Sequence, residues 1–281
     1  MENVSLFVTC LIDAFRPDAA KAAVRVLERR GCSVEFPQQQ TCCGQFSFNA
    51  GYQDEAALLA KHWVEAFEET SGPIVALSGS CAGMVVHSYP DLLHKWVLRH
   101  DGTEAEAESW RSRAQSVANR VYELTQWLTS LDSSGAESGD IDHSVPFVYH
   151  LGCHMRRLLR ATTEAQSVMA PQGVELIEPE EADQCCGFGG TYSMAEPVVS
   201  TALADAKWKQ VGCRAQESGA WGLVGTDMGC LLHLQGRASR QHNSFPVLYL
   251  SELLDLVDEG RLSPEVVNQY GGWQDGRNSS R

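Results

Sequence analysis

The sequence predicts an α/β protein of two tandem, duplicated domains, each a small parallel sheet flanked by helices and related to its twin by pseudo-twofold symmetry. Three observations predict it. Short apolar runs alternate with helix-length amphipathic stretches, the pattern of βαβ units. The triplet Cys-Cys-Gly occurs twice, as Cys42-Cys43-Gly44 and Cys185-Cys186-Gly187. Its surroundings repeat too, because 32 residues separate Cys10 from Cys42 and again Cys153 from Cys185, and a further cysteine, Cys81 or Cys230, follows each pair. Eight of the ten cysteines therefore fall into two copies of one pattern, which is an internal duplication. The expected division is a first domain over 1–131, a linker over 132–144, a second domain over 145–268 and a flexible tail over 269–281.

In the first copy, Val4 to Thr9 reads as a buried strand ending at Cys10. Arg16-Pro17-Asp18 opens a helix, since proline suits the first turn and aspartate complements the dipole. Ala22, Val26 and Leu27 recur at helical spacing, and Gly31 is placed to end the helix. Cys32 to Phe36 alternates as a strand, and Pro37 stops it. Tyr52 to Glu69 is helical, Ile74 to Leu77 is a buried strand, Ser78 to Cys81 a tight turn and Ala82 to Leu98 a helix. Residues 103–130 are helical by composition, with Val121, Leu124, Trp127 and Leu128 as an apolar stripe. The small, polar run from Asp132 to Asp140 has no periodicity and reads as the linker.

The second copy repeats the plan. Val145 to Leu151 is a strand, Met155 to Ala170 a helix, and Val174 to Ile177 a strand before Pro179. Cys185 to Gly190 is a glycine-rich loop, residues 195–211 are helical, Gly222 to Gly225 is a strand, Thr226 to Cys230 a turn and Tyr249 to Leu256 a closing helix. After Gln269 the composition is that of a frayed tail.

Length and composition bound the chemistry. A chain of 281 residues accommodates two ordinary domains, and 43% hydrophobic with 21% charged residues is globular usage. A net charge of −14 argues against nucleic acid and anionic membranes as partners. The N-terminus lacks the basic stretch and apolar run of a signal peptide, and nothing approaches the roughly 20 apolar residues that span a bilayer, which points to the cytoplasm. There, ten cysteines read as metal ligands or redox thiols rather than disulfides.

Each patterned cysteine falls just past the carboxyl end of an expected strand, where open α/β sheets bind ligands. Helix N-termini at these turns would favour thiolate, and Gly44, Gly79, Gly152, Gly187, Gly189 and Gly229 would let backbone approach a bulky group and donate N–H bonds to sulfur. Adjacent cysteines point apart and serve a single zinc poorly, whereas an iron–sulfur cluster offers several irons. Cys10, Cys42, Cys43 and Cys81, with Cys153, Cys185, Cys186 and Cys230, are the expected cluster ligands. Cys32 and Cys213 read as small buried hydrophobes, and Trp63, Trp96, Trp127 and Trp208 as core. His154 and His233 are candidate ligands or donors, Tyr149 and His150 packing or crevice-lining residues. Gly187-Phe188-Gly189-Gly190 lacks the lysine and fingerprint of a phosphate loop. No residue is singled out as catalytic.

With these residues the sequence resembles the cysteine-rich CCG domain found in heterodisulfide reductase, in the glycolate oxidase iron–sulfur subunit and in lactate-utilisation A proteins. The resemblance covers nearly the whole chain. Gln40 to Gln45 with Ser78 to Cys81, and Cys185 to Gly190 with Met228 to His233, resemble the lactate-utilisation A branch, a pair of CCG domains without a ferredoxin module. The resemblance implies an iron–sulfur electron-transfer subunit of a cytoplasmic system oxidising L-lactate to pyruvate, an oxidoreductase component needing further subunits. Where the heterodisulfide reductase pattern ends in Cys-x2-Cys, Met84 and His233 stand three residues after Cys81 and Cys230. Four thiolates per copy suit a [4Fe–4S] cluster, one or two per chain. The alternatives are a thiol or heterodisulfide reductase component with an exposed cluster, and a zinc-stabilised scaffold.

Overall fold

The computed structural model describes residues 2–132 and 144–271. Two four-stranded, wholly parallel sheets carry the same strand order. The first runs β2 (Cys32–Glu35), β1 (Glu2–Phe7), β3 (Ile74–Ala76), β4 (Val121–Glu123), and the second β6 (Val174–Ile177), β5 (Val145–His150), β7 (Leu223–Gly225), β8 (Val247–Tyr249). Registers correspond as well: Phe7, the last residue of β1, faces Ala76, and His150, the last of β5, faces Gly225.

Helices cover both faces of the first sheet, so its strands are apolar on both. Val4, Leu6, Val75 and Leu77 join one core, whereas Phe7, Ile74 and Ala76 join another behind α4 (Gln53–Glu68), α5 (Gly79–Arg99) and α6 (Glu104–Ala118). The former core is continuous with the second half through Phe147, Tyr149 and Leu223. The halves are further tied where α2 (Pro17–Arg29) packs on α12 (Leu250–Asp258). Arg25 meets Asp255 at 2.5 Å, Arg29 meets Asp255 at 2.7 Å, and Arg30 meets Asp258 at 2.9 Å.

Equivalent turns touch one another, as a pseudo-twofold axis requires. Asp227, three residues before Cys230, accepts from the hydroxyl of Ser78, three before Cys81, at 3.1 Å. The buried Tyr249 hydroxyl donates to the carbonyls of Leu77 and Thr226, which are again counterparts.

Several expectations need correction. Residues 103–130 are not one helix. They form α6, strand β4 and α7 (Leu124–Asp132), because three residues are too few to show a period and β4 is fixed by pairing with β3. The helix expected over 155–170 breaks into a π-turn, Met155–Leu159, and α8 (Glu164–Met169), separated by Arg160 at φ +54°. The π-turn lies where Met155 and Leu158 press on Gly79 and Gly83 of α5, so contact with the other half overrides local propensity. Helix α5 starts at Gly79, and α11 (Met228–Arg240) at Met228, so Cys81 and Cys230 sit in first helical turns rather than in loops. α11, whose buried face carries Leu231, Leu234 and Ala238, and β8 add to the expected elements. Cys32 is buried as expected, Cys213 is exposed on α10 (Pro197–Ser218), and Trp96 is only half-buried. Apart from Asp132 and Ser144, the expected linker lies outside the described residues, as does the expected tail beyond Gly271.

Candidate metal centre

The strand order fixes where a ligand belongs. From β1 the chain passes outward to β2 and then crosses to β3 on the other side, so a crevice opens beyond the carboxyl ends of β1 and β3. Cys10 begins α1 (Cys10–Phe15) directly after β1, and Cys81 follows β3 in α5. The loop after β2 delivers Cys42 and Cys43 to the same place. The second half repeats this with Cys153, Cys230 and the pair Cys185, Cys186.

All four thiols of the first set converge. Cys42 Sγ lies 3.5 Å from Cys10 Sγ, and Cys43 Sγ lies 3.3 Å from Cys81 Sγ. Neighbouring cysteines thus reach different partners, as the extended backbone predicts. Gly44 adopts φ +77° and Gly187 φ +90°, and a Cβ at Gly187 would strike the Ser200 carbonyl, so glycine is required after each pair. Their N–H groups donate to sulfur, Gly44 to Cys42 at 3.4 Å and Gly187 to Cys185 at 3.3 Å. In the second set, Sγ of Cys186, Sγ of Cys230 and a ring nitrogen of His150 lie within 4.8 Å of one another.

Proton affinities differ from those expected of helix N-termini. Hydrogen bonds from Cys10 and Cys43 pull Cys42 down to about 3. The bond to Cys42, then burial, push Cys10 well up, and Cys43 rises through its bonds to Cys42 and Cys81 and its burial. Cys153 rises through burial and then Cys185, and Cys185 through its bond to Cys186 and burial. Hydrogen bonds pull down on Cys186 from Cys185 and on Cys230 from Cys186, yet both rise, Cys230 to about 11, because burial and sulfur neighbours outweigh them. Several thiolates share such a pocket only if a cation relieves their repulsion. Soft sulfur donors in two groups of four fit iron–sulfur centres in kind and number.

The two sets share one cavity of about 700 Å³, measured to its open mouth and lined by every patterned cysteine except Cys42. Loops from both halves roof it: Phe46 meets Phe188 edge-on at 5.9 Å, and Gln45 Nε2 lies 3.0 Å from His154 Nε2. Cys43, Cys81, Cys186 and Cys230 are buried, whereas Cys185 is exposed at the mouth. His154 Nδ1 lies 3.4 Å from Cys153 Sγ, and His233 bonds Ser200 at 3.2 Å on the far side of the Cys-Cys-Gly loop. Met84, in the other fifth-cysteine position, is buried in the core.

Sequence reasoning missed Lys207 behind the second pair and placed His150 only as a packing or crevice-lining residue. Lys207 is fully buried, donating to the carbonyls of Glu181 at 3.1 Å and Ala182 at 3.4 Å, just ahead of Cys185. Burial holds His150 neutral, its pKa drawn down to about 4. The repeat itself carried a signal, since His150 and Phe7 each stand three residues before the first cysteine of their half.

Fold and site together define a duplicated cysteine-rich α/β protein with two thiol clusters at one cavity. The chain belongs to the cysteine-rich CCG domain family, whose pattern matches residues 4–86 and 147–235. It is 38% identical over 254 residues to lactate utilization protein A of Shouchella clausii, covering 90% of this chain and 98% of that protein. The protein of the same name from Halalkalibacterium halodurans is 36% identical over 260 residues, covering 92% and 99%. That from Bacillus thuringiensis is 39% identical over 257 residues, covering 90% and 98%. Among solved structures, a hypothetical protein from Helicobacter pylori shares the fold with a TM-score of 0.58 at 12% identity, over 97% of this chain and 52% of that one.

Proposed function

We propose that the chain is the iron–sulfur electron-transfer subunit of a cytoplasmic system that oxidises L-lactate to pyruvate, acting with further subunits. The observation that carries it is the convergence of two four-cysteine sets on one cavity, in a chain similar over its length to proteins named for lactate utilisation. Cys10, Cys42, Cys43 and Cys81 would hold one [4Fe–4S] cluster, and Cys153, Cys185, Cys186 and Cys230 a second. Residues 1–131 and 145–268 then act as two cluster-binding domains. A bound cluster supplies one-electron redox capacity.

The chain's own residues prepare the sites. Gly44 and Gly187 aim N–H groups at sulfur, the N-termini of α5 and α11 face Cys81 and Cys230, and Phe46 and Phe188 shield the cavity from water. Exposed Cys185 leaves one edge open to a redox partner. Among the described residues no helix is long and apolar enough to cross a membrane.

Anaerobic purification with iron, acid-labile sulfide and zinc analysis tests the centres. Iron and sulfide in equal amount are expected, and stoichiometric zinc without sulfide would refute the reading. Deletion of the gene tests the substrate, the expected result being loss of growth on lactate.

A further inference from the structure

One buried group near the second cysteine set is left without a partner. His150, the last residue of β5, is 4% exposed, and neither ring nitrogen has a hydrogen-bond partner among the described residues. Buried polar atoms in native cores rarely stay unpaired, so an unpaired one calls for a specific cause. Packing does not supply it. At the equivalent end of β1 the same backbone site takes Phe7, whose ring packs edge-on against Trp63 at 5.2 Å and Phe67 at 5.7 Å. Lys207, the nearest buried cation, spends its hydrogen bonds on Glu181 and Ala182. What His150 does face is sulfur, with a ring nitrogen within 4.8 Å of Sγ of both Cys186 and Cys230. His154 and His233, by contrast, are engaged by Gln45 and Ser200.

We propose that His150 takes one of the four ligand places of the second centre beside Cys186 and Cys230, in place of the exposed Cys185, making that centre a mixed imidazole–thiolate site while the first is thiolate throughout. The assignment rests on the iron–sulfur reading above. Neutral imidazole is a good ligand for iron, and exchanging thiolate for imidazole removes negative charge and raises a cluster's potential. The second centre is then the better electron acceptor of the two, which gives electrons a direction across the cavity.

The test uses the full chain made with 15N-histidine, its clusters assembled anaerobically and reduced with dithionite, and read by pulsed electron paramagnetic resonance. The expected spectrum carries the strong nitrogen coupling of a directly bound imidazole. That coupling is lost in His150→Phe, the residue of the first half, and kept in His154→Ala and His233→Ala. Only weak coupling in the wild type, as from an N–H···S contact, overturns the assignment, as does strong coupling that survives in His150→Phe. The wild-type spectrum decides even if His150→Phe fails to fold. Iron and sulfide are measured on the same samples. Clusters without strongly coupled nitrogen refute the role of His150 and leave the electron-transfer reading intact, whereas absence of iron and sulfide refutes both.

Discussion

Behind the first cysteine pair the protein is aromatic, and behind the second it is polar. Cys43 backs onto Phe7, Trp63, Phe67 and Tyr89, whose hydroxyl donates to the Cys43 carbonyl at 3.0 Å. Cys186 has His150 where the first half has Phe7, and Lys207 where it has Trp63. The second match follows from the helix facing each glycine: Ala56 lies against Gly44 and Ser200 against Gly187, and Trp63 and Lys207 each stand seven residues further on. Strand order, register and cysteine spacing were retained while the shell diverged. Duplication copied the cysteine set, and the residues packed behind it made the two sites unequal. Charge and hydrogen bonding around sulfur set cluster potential, so two centres on one scaffold need not share one.

The largest test of this comparison removes ligands. Cys81→Ala should abolish the first centre and spare the second, and Cys230→Ala the reverse, read as loss of part of the iron and sulfide. Loss of both centres from either change would mean that the sites form a single unit. Next, Trp63→Ala should cost about 4 kcal/mol in denaturant unfolding, because it empties the aromatic wall of the first half. Asp255→Ala should cost about 1 kcal/mol, since it removes the shared partner of the partly exposed Arg25 and Arg29 at the junction of the halves.

The same junction should weaken in acid. Burial raises the Asp255 pKa, but Arg25 and Arg29 outweigh it and hold the group below its ordinary 3.8. A depressed carboxyl stabilises the fold fully above its unfolded pKa, so this contribution should decline as pH drops below that value and be lost as pH falls through the lower folded pKa, and acid unfolding of Asp255→Asn should lack it. The smallest expected effect is Lys207→Met. Deleting a buried positive charge near Cys185 and Cys186 should move the second centre's potential negative by on the order of 60 mV, the one-electron equivalent of a tenfold change, and leave the first unmoved. Equal shifts at both centres would erase the distinction.

Much of this was legible in the sequence, for identifiable reasons. Strands β3 and β7 are short apolar runs bounded by glycine or proline, β2 and β6 stop before Pro37 and Pro179, β1 and β5 are apolar runs that end just ahead of Cys10 and Cys153, and the cysteine spacing exposed the repeat. Strands β4 and β8 were not legible, because Val121 to Glu123 and Val247 to Tyr249 run straight into the helices that begin at Leu124 and Leu250, with no turn signal between strand and helix. The thiol sets were legible through their spacing, and pseudo-twofold symmetry implied neighbouring crevices, but the contacts that join them into one cavity were not legible. The joining depends on Ser78, Asp227 and Tyr249 meeting across the axis, contacts with no local signal. The raised proton affinities of Cys10 and Cys230, both in first helical turns, ran against the helix-dipole expectation, because burial and charged neighbours brought together by the fold have no local signal in the sequence.

Asp227 accepts from Ser80 N at 3.0 Å, in the first turn of α5, and from Cys230 N at 3.5 Å in its own helix. One carboxylate therefore fastens the two helix ends that present Cys81 and Cys230. A homodimer of second halves would bring two aspartates face to face there, and a homodimer of first halves would leave only hydroxyls. The Ser78–Asp227 mismatch thus acts as a key that fits one orientation of unlike halves, favouring their fusion in a single polypeptide over assembly from identical pieces.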